Sequence, residues 1–130
     1  GDMILFNHHF HYSRDLTDFK FIYLMREPEY SLNNILNNET TMTEDVVYNY
    51  YSFRLRRMYE MAKKAGGFLL NHKDINKKTK ELSEYLELEV PLKPKVDIFD
   101  VVDNKITEIK KAKDCFENYY FRTKSILGQQ

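Results

Sequence analysis

The chain has 130 residues, with ten Tyr and nine Phe, no Trp, four Gly and three Pro. Its 20 Lys and Arg balance 20 Asp and Glu, and a formal net charge of zero weighs against a protein that holds nucleic acid broadly through phosphate contacts. The length is that of one domain able to bury one substantial core, and no apolar run approaches the roughly 20 residues that span a bilayer.

Few breakers and many Leu, Glu, Lys and Met favour helix over sheet. Cys115 is the single cysteine, so an intrachain disulfide is excluded and a reducing, cytoplasmic setting is the expectation. Gly1 ahead of Met3 also allows a piece of a longer protein, and an extracytoplasmic setting would go with that. No secretory signal is present.

Met3 to Tyr12 reads MILFNHHFHY. Ile4, Phe6, His8, Phe10 and Tyr12 would share one face of a strand, and the segment serves equally as a lead-in to a helix. Ser13 and Asp15 are N-cap candidates ahead of Leu16, Phe19, Ile22, Tyr23 and Met25, which fall on one helical face. Pro28 interrupts that helix, or opens a second piece that carries Glu29, Tyr30, Leu32, Ile35 and Leu36. A first helix kinked or broken near Pro28, ending around residues 33–38, is the result.

Thr41 with Glu44 has the spacing of a capping box, and Thr43 is a second candidate cap. Val47, Tyr50, Tyr51, Arg54, Met58, Met61, Ala62, Ala65 and Leu69 then make a broad stripe. Gly66-Gly67 is its weak point, at about 1 kcal/mol per Gly against Ala. Because Phe68-Leu69-Leu70 continues the apolar face, the second helix is expected to reach about Asn71. Asp74 caps a third helix, Ile75 to about Leu88, and Pro91 and Pro94 bracket a connection.

From Asp97 to Leu127 the series Phe99, Val102, Ile106, Ile109, Lys113, Phe116, Tyr120, Thr123, Leu127 alternates spacings of three and four, the heptad rhythm of a long helix. Together these segments predict an all-α fold. It is a single domain over 1–130, an antiparallel up-down-up-down four-helix bundle with a kinked or broken first helix and a long C-terminal helix. Residues 1–12 are an undecided lead-in and 128–130 a tail.

Such a bundle brings both termini and the Leu70–Asp74 turn to one end. That end gathers His8, His9, His11 and His72, a candidate site for zinc, nickel or copper, although a solvated terminal segment is the plainer reading. Arg54, Arg56 and Arg57 beside Tyr50 and Tyr51 could contact nucleic acid, or form an ordinary salt-bridged face. Tyr51, Tyr119, Phe121 and Arg122 are candidates for an interaction surface, with core packing the competing reading. Lys113 on the seam either snorkels outward or meets a carboxylate. Cys115 lacks a placed base, and no phosphate-cradling glycine loop, Glu-x-x-His pair, zinc-type cysteine pair or nucleophile elbow is present.

The expectation is therefore a non-enzymatic, cofactor-free module that binds another macromolecule. It would be a stand-alone adaptor or the extracytoplasmic sensory domain of a membrane protein, with a protein partner or self-association. A bundle that binds a small molecule or metal at its histidine end is the alternative. Nucleic-acid binding through the second helix is the third.

Overall fold

The computed structural model describes residues 2–5, 19–39, 41–93 and 104–129. Among these the fold is mixed α/β, which overturns the all-α four-helix bundle. Strands β1 (Asp2–Leu5), β2 (Phe19–Met25) and β3 (Phe68–Asn71) form a parallel sheet in the order β1-β2-β3. The helices are α1 (Pro28–Asn38), α2 (Glu44–Ala65), α3 (Thr79–Tyr85) and α4 (Ile109–Ile126), with a 3₁₀ helix at His72–Lys77 ahead of α3.

The segment FKFIYLM, expected as a helix, is the central strand. Phe21, Tyr23 and Met25 face a core that includes Leu32, Val47, Leu55, Met58 and Met61. Ile22 and Leu24 face the opposite side with Phe68, Leu70 and Leu82. Covered on both faces, the strand is apolar from Phe21 to Met25 and loses the two-residue alternation that would identify it. Neighbouring parallel strands need a crossover, and α1 with α2 supplies it between β2 and β3, setting Ile22 beside Phe68 and Leu24 beside Leu70. The sheet is thus a middle layer, with α1, α2 and α4 on one face and α3 on the other. The Tyr85 hydroxyl, at the end of α3, accepts from the Phe21 amide at 3.1 Å and ties that outer layer to β2.

Pro28 opens α1, where its missing N–H is no loss. Thr43, not Thr41, caps α2, its hydroxyl accepting from the Val46 amide at 3.3 Å. Gly66, with φ of +68°, ends α2, so the expected continuation to Asn71 is replaced by β3. The third helix is shorter than expected and is preceded by the 3₁₀ turn.

Within α4 the expected seam is the buried face in part: Phe116 and Thr123 are buried and Ile109, Tyr120 and Leu127 half-buried, but Lys113 is exposed and Ala112 beside it is fully buried instead. The helix begins only at Ile109, however, because residues 104–108 are not helical; Phe99 and Val102 lie outside the described residues. Nor is α4 antiparallel to α2. Glu44 meets Thr107, Tyr48 meets Lys111 and Tyr59 meets Arg122, so the two helices run parallel. The bundle geometry that placed both termini at one end falls with this. Among the described residues no helix is long and apolar enough to cross a membrane.

The edge of β3 away from β2 is closed by a side chain. Gly128, at φ +64°, ends α4 with its amide on the Ser125 carbonyl, while the Gln129 amide bonds Lys124, the Schellman pattern. This sets the Gln129 carboxamide against Leu69. Gln129 Oε1 accepts from the Leu69 amide at 2.9 Å, and Nε2 donates to the Leu69 carbonyl at 2.6 Å, as a neighbouring strand would. Gln129→Ala is expected to lower stability by about 1–3 kcal/mol, two hydrogen bonds' worth, and to promote edge-to-edge association. Urea unfolding and light scattering check this; an unchanged midpoint would mean that the amide bonds contribute nothing.

Candidate functional site

The functional groups collect where β2 and β3 end. Arg26 is the first residue past β2 and His72 the first past β3, on adjacent strands. Ligand sites of open α/β sheets form at such carboxyl ends. Two cavities open there.

The first, of about 300 Å³, lies between the strand ends, α1 and α2. Its walls are Leu24, Arg26, Ser31, Asn34, Ile35, Tyr51, Arg54, Leu55, Met58 and His72, with no carboxylate among them. The α2 stripe built from Val47, Tyr51, Leu55 and Met58 packs inward, and Arg54 at its border turns to the cavity. The Nε atoms of Arg26 and Arg54 are sealed from solvent without a hydrogen-bond partner. Neither guanidinium is in an ion pair among the described residues. Tyr51 is 5% exposed, and its hydroxyl donates to the Arg26 carbonyl at 2.6 Å, which fixes the turn after β2. Burial pushes that hydroxyl far above its ordinary range, so it stays a neutral donor. Burial, and then the Arg26 charge, holds His72 below the ordinary imidazole range and keeps it neutral.

The second cavity, of about 340 Å³, lies on the α4 side of the same edge. Glu27, Pro28, Glu29, Asn71 and Lys73 meet Lys113, Phe116, Glu117, Tyr120 and Phe121 around it. Glu27 Oε1 accepts from Lys73 Nζ at 2.6 Å and from the side-chain Nδ2 of buried Asn71 at 3.4 Å. Burial alone would raise Glu27; the bonds from Lys73, Glu29 and Asn71 outweigh it and hold the carboxyl below its ordinary value. Glu29 goes the other way, raised by burial and then by Glu27 beside it.

The expected histidine cluster is not assembled among the described residues. His8, His9 and His11 lie outside them, and His72 stands with Arg26 in the first cavity. Among the described residues no group of His, Cys, Asp or Glu is placed to hold a metal. The basic triplet divides: Arg54 lines the first cavity, while Arg56 pairs with Glu60 at 3.8 Å and shares the Phe53 ring with Arg57. Of the proposed interaction residues, Tyr51 is internal. Tyr119 packs edge-on against Tyr59, Arg122 covers the Tyr59 ring at 4.3 Å, and Phe121 is exposed at the second cavity. Burial pushes the Cys115 thiol up, away from activation.

Sequence reasoning did not single out Arg26, Glu27, Ser31, Asn34 or Lys73. The available signal was Arg-Glu-Pro directly after an apolar run, a strand end followed by a helix start, which is legible only once the run is read as a strand. Comparison with protein-family models, curated proteins and solved structures finds no match to this chain.

Proposed function

We propose that the chain binds a small anionic ligand bearing a phosphate or sulfate group in the first cavity. The observation that carries this is the pair Arg26 and Arg54, which line one cavity with no carboxylate in its walls. An unpaired, partly buried guanidinium is unfavourable unless an anion completes it. Two planar forks can share the terminal oxygens of one tetrahedral anion, a geometry that a lone carboxylate ligand would not use fully. Ser31, Asn34 and neutral His72 add uncharged donors, and Leu24, Ile35, Leu55 and Met58 offer an apolar wall to the rest of the ligand. The alternative of a small-molecule site is kept, but moved from the histidine end to the strand ends.

The test uses phenyl phosphate, with phenol as the uncharged control, followed by calorimetry on the full chain. Saturable binding of the phosphate alone is expected, weakened about 10–100-fold by Arg54→Met or Arg26→Met, the worth of a charged hydrogen bond. Because neither arginine is in an ion pair among the described residues, Arg54→Met is expected to leave the melting temperature of the unliganded protein unchanged or raise it. Equal binding of phenol, or binding indifferent to both substitutions, would remove the proposal.

A macromolecular partner remains as a second reading on one observation. Val46, Tyr50 and Phe53 are exposed on the outer face of α2 at helical spacing. Loss of partner binding or self-association in Phe53→Ser would support it.

A further inference from the structure

We infer that the second cavity binds a protonated amine carried on a flat apolar group, an arylalkylamine in chemical class, with its ammonium toward Glu29 and Glu117 and its ring against Tyr120 and Phe121. The lining combines carboxyls with aromatic rings: Glu27 and Glu29 stand at the start of α1, and Glu117 shares a face of α4 with Tyr120 and Phe121. Tyr120 stacks on Phe116 with centroids 5.3 Å apart and meets Phe121 edge-on at 5.8 Å. Phe121 is 61% exposed, although it borders a cavity large enough for a single ring and its side chain.

The charges say what is missing. Lys73 is committed to Glu27 at 2.6 Å. Lys113 is exposed and is the other cation in the lining. With Glu29 ionised the lining would hold Glu27, Glu29 and Glu117 against Lys73 and Lys113, one carboxylate in excess. Asp74, beyond the lining, adds negative potential at Lys73 and Tyr120. Glu29, with Oε2 sealed from solvent and Glu27 beside it, is raised above its ordinary value by burial and then by Glu27, so the unliganded cavity disfavours its charge. An ammonium ligand would supply positive charge and favour the ionised carboxylate, so binding would release the proton wherever Glu29 carries one. The two lysines weigh against a divalent metal in the same place, where water ligands would need their space. The aromatic wall gives a cation on an aryl group a second attachment, through stacking and the ring faces.

The experiment is calorimetry of phenethylamine against the full chain, in buffers of different ionisation enthalpy, from pH 5 to 8. Saturable binding with release of a proton is expected at low pH. Affinity should rise with pH until Glu29 is ionised without ligand, then level off. Benzyl alcohol and phenylpropionate should not compete. Glu29→Gln copies the protonated carboxyl, so the fold is expected to survive while affinity falls about tenfold and proton release disappears. Glu117→Gln on the exposed face of α4 should weaken binding without altering proton release. Equal binding of benzyl alcohol, or phenethylamine binding untouched by both glutamate substitutions, would overturn the inference. None of these readouts depends on the arginine cavity.

Discussion

Gly67→Ala is expected to destabilise the protein by about 3–5 kcal/mol, combining steric overlap with backbone strain. A β-carbon at this position would sit 2.3 Å from Cε2 of Tyr23 and 2.8 Å from the Phe21 carbonyl oxygen. Tyr23 cannot retreat easily. It is fully buried, its ring stacks on Phe21, and its hydroxyl donates to the Gly66 carbonyl. The φ of +140° at Gly67 is also closed to residues with a β-carbon. Gly66→Ala is the built-in control. Its φ of +68° with ψ of −162° is a conformation kept almost to glycine, but a β-carbon there meets nothing within 4 Å, so backbone strain of about 1–3 kcal/mol applies without the steric overlap. Urea unfolding of both variants checks the difference. Trimming the ring edge with Tyr23→Leu should recover part of the loss in the double mutant, because the Phe21 carbonyl clash stays. Equal losses for Gly66→Ala and Gly67→Ala would refute the account.

That glycine pair also shows why the sequence reads as helix there. Phe68-Leu69-Leu70 continues the apolar stripe of α2, and about 2 kcal/mol of glycine penalty is small against the packing of a helix that long. What decides the matter is tertiary: Gly67 lets the chain pass over Tyr23 and enter a sheet whose other strands lie far away in sequence. Periodicity could not separate the alternatives at Phe19–Met25 either, since Phe19, Ile22 and Tyr23, three and four apart, are apolar whichever structure the segment adopts. The elements set by local chemistry were legible: Thr43 as a cap, Pro28 as a first helical residue, and most of the seam from Ile109 to Leu127. The site was not, apart from Tyr51, Arg54, His72 and Phe121. Its remaining residues are defined by strand ends, and without the strands they are scattered charges.

Asn33→Leu is expected to cost about 2–4 kcal/mol although it replaces a buried polar residue by an apolar one. Asn33 is 2% exposed on α1, and its Oδ1 accepts from the Lys105 amide at 2.8 Å. That bond is the first of a series in which a side-chain oxygen takes each amide from Lys105 to Glu108. Asn104 accepts from Ile106 at 3.0 Å, and Glu44 from Thr107 at 2.8 Å and Glu108 at 3.0 Å. Side chains that satisfy successive amides compete with helical bonding, which explains why the heptad rhythm passes through Ile106 while the helix starts at Ile109. The same bonds hold Ile106 in the core beneath α1 and α2. Leucine at position 33 would leave the Lys105 amide unmet and loosen the segment that delivers α4 to the second cavity. Hydrogen exchange should therefore accelerate at residues 105–108 before it does in α2, alongside a lower urea midpoint. The bonds from Glu108 and Thr107 hold the Glu44 carboxyl below its ordinary value, so its share of this link is present above about pH 4.3 and fades as the pH falls. Acid should thus loosen residues 105–108 in the wild type as Asn33→Leu does at neutral pH. A neutral or stabilising Asn33→Leu, with exchange at Lys105 unchanged, would show that apolar packing outweighs the amide series.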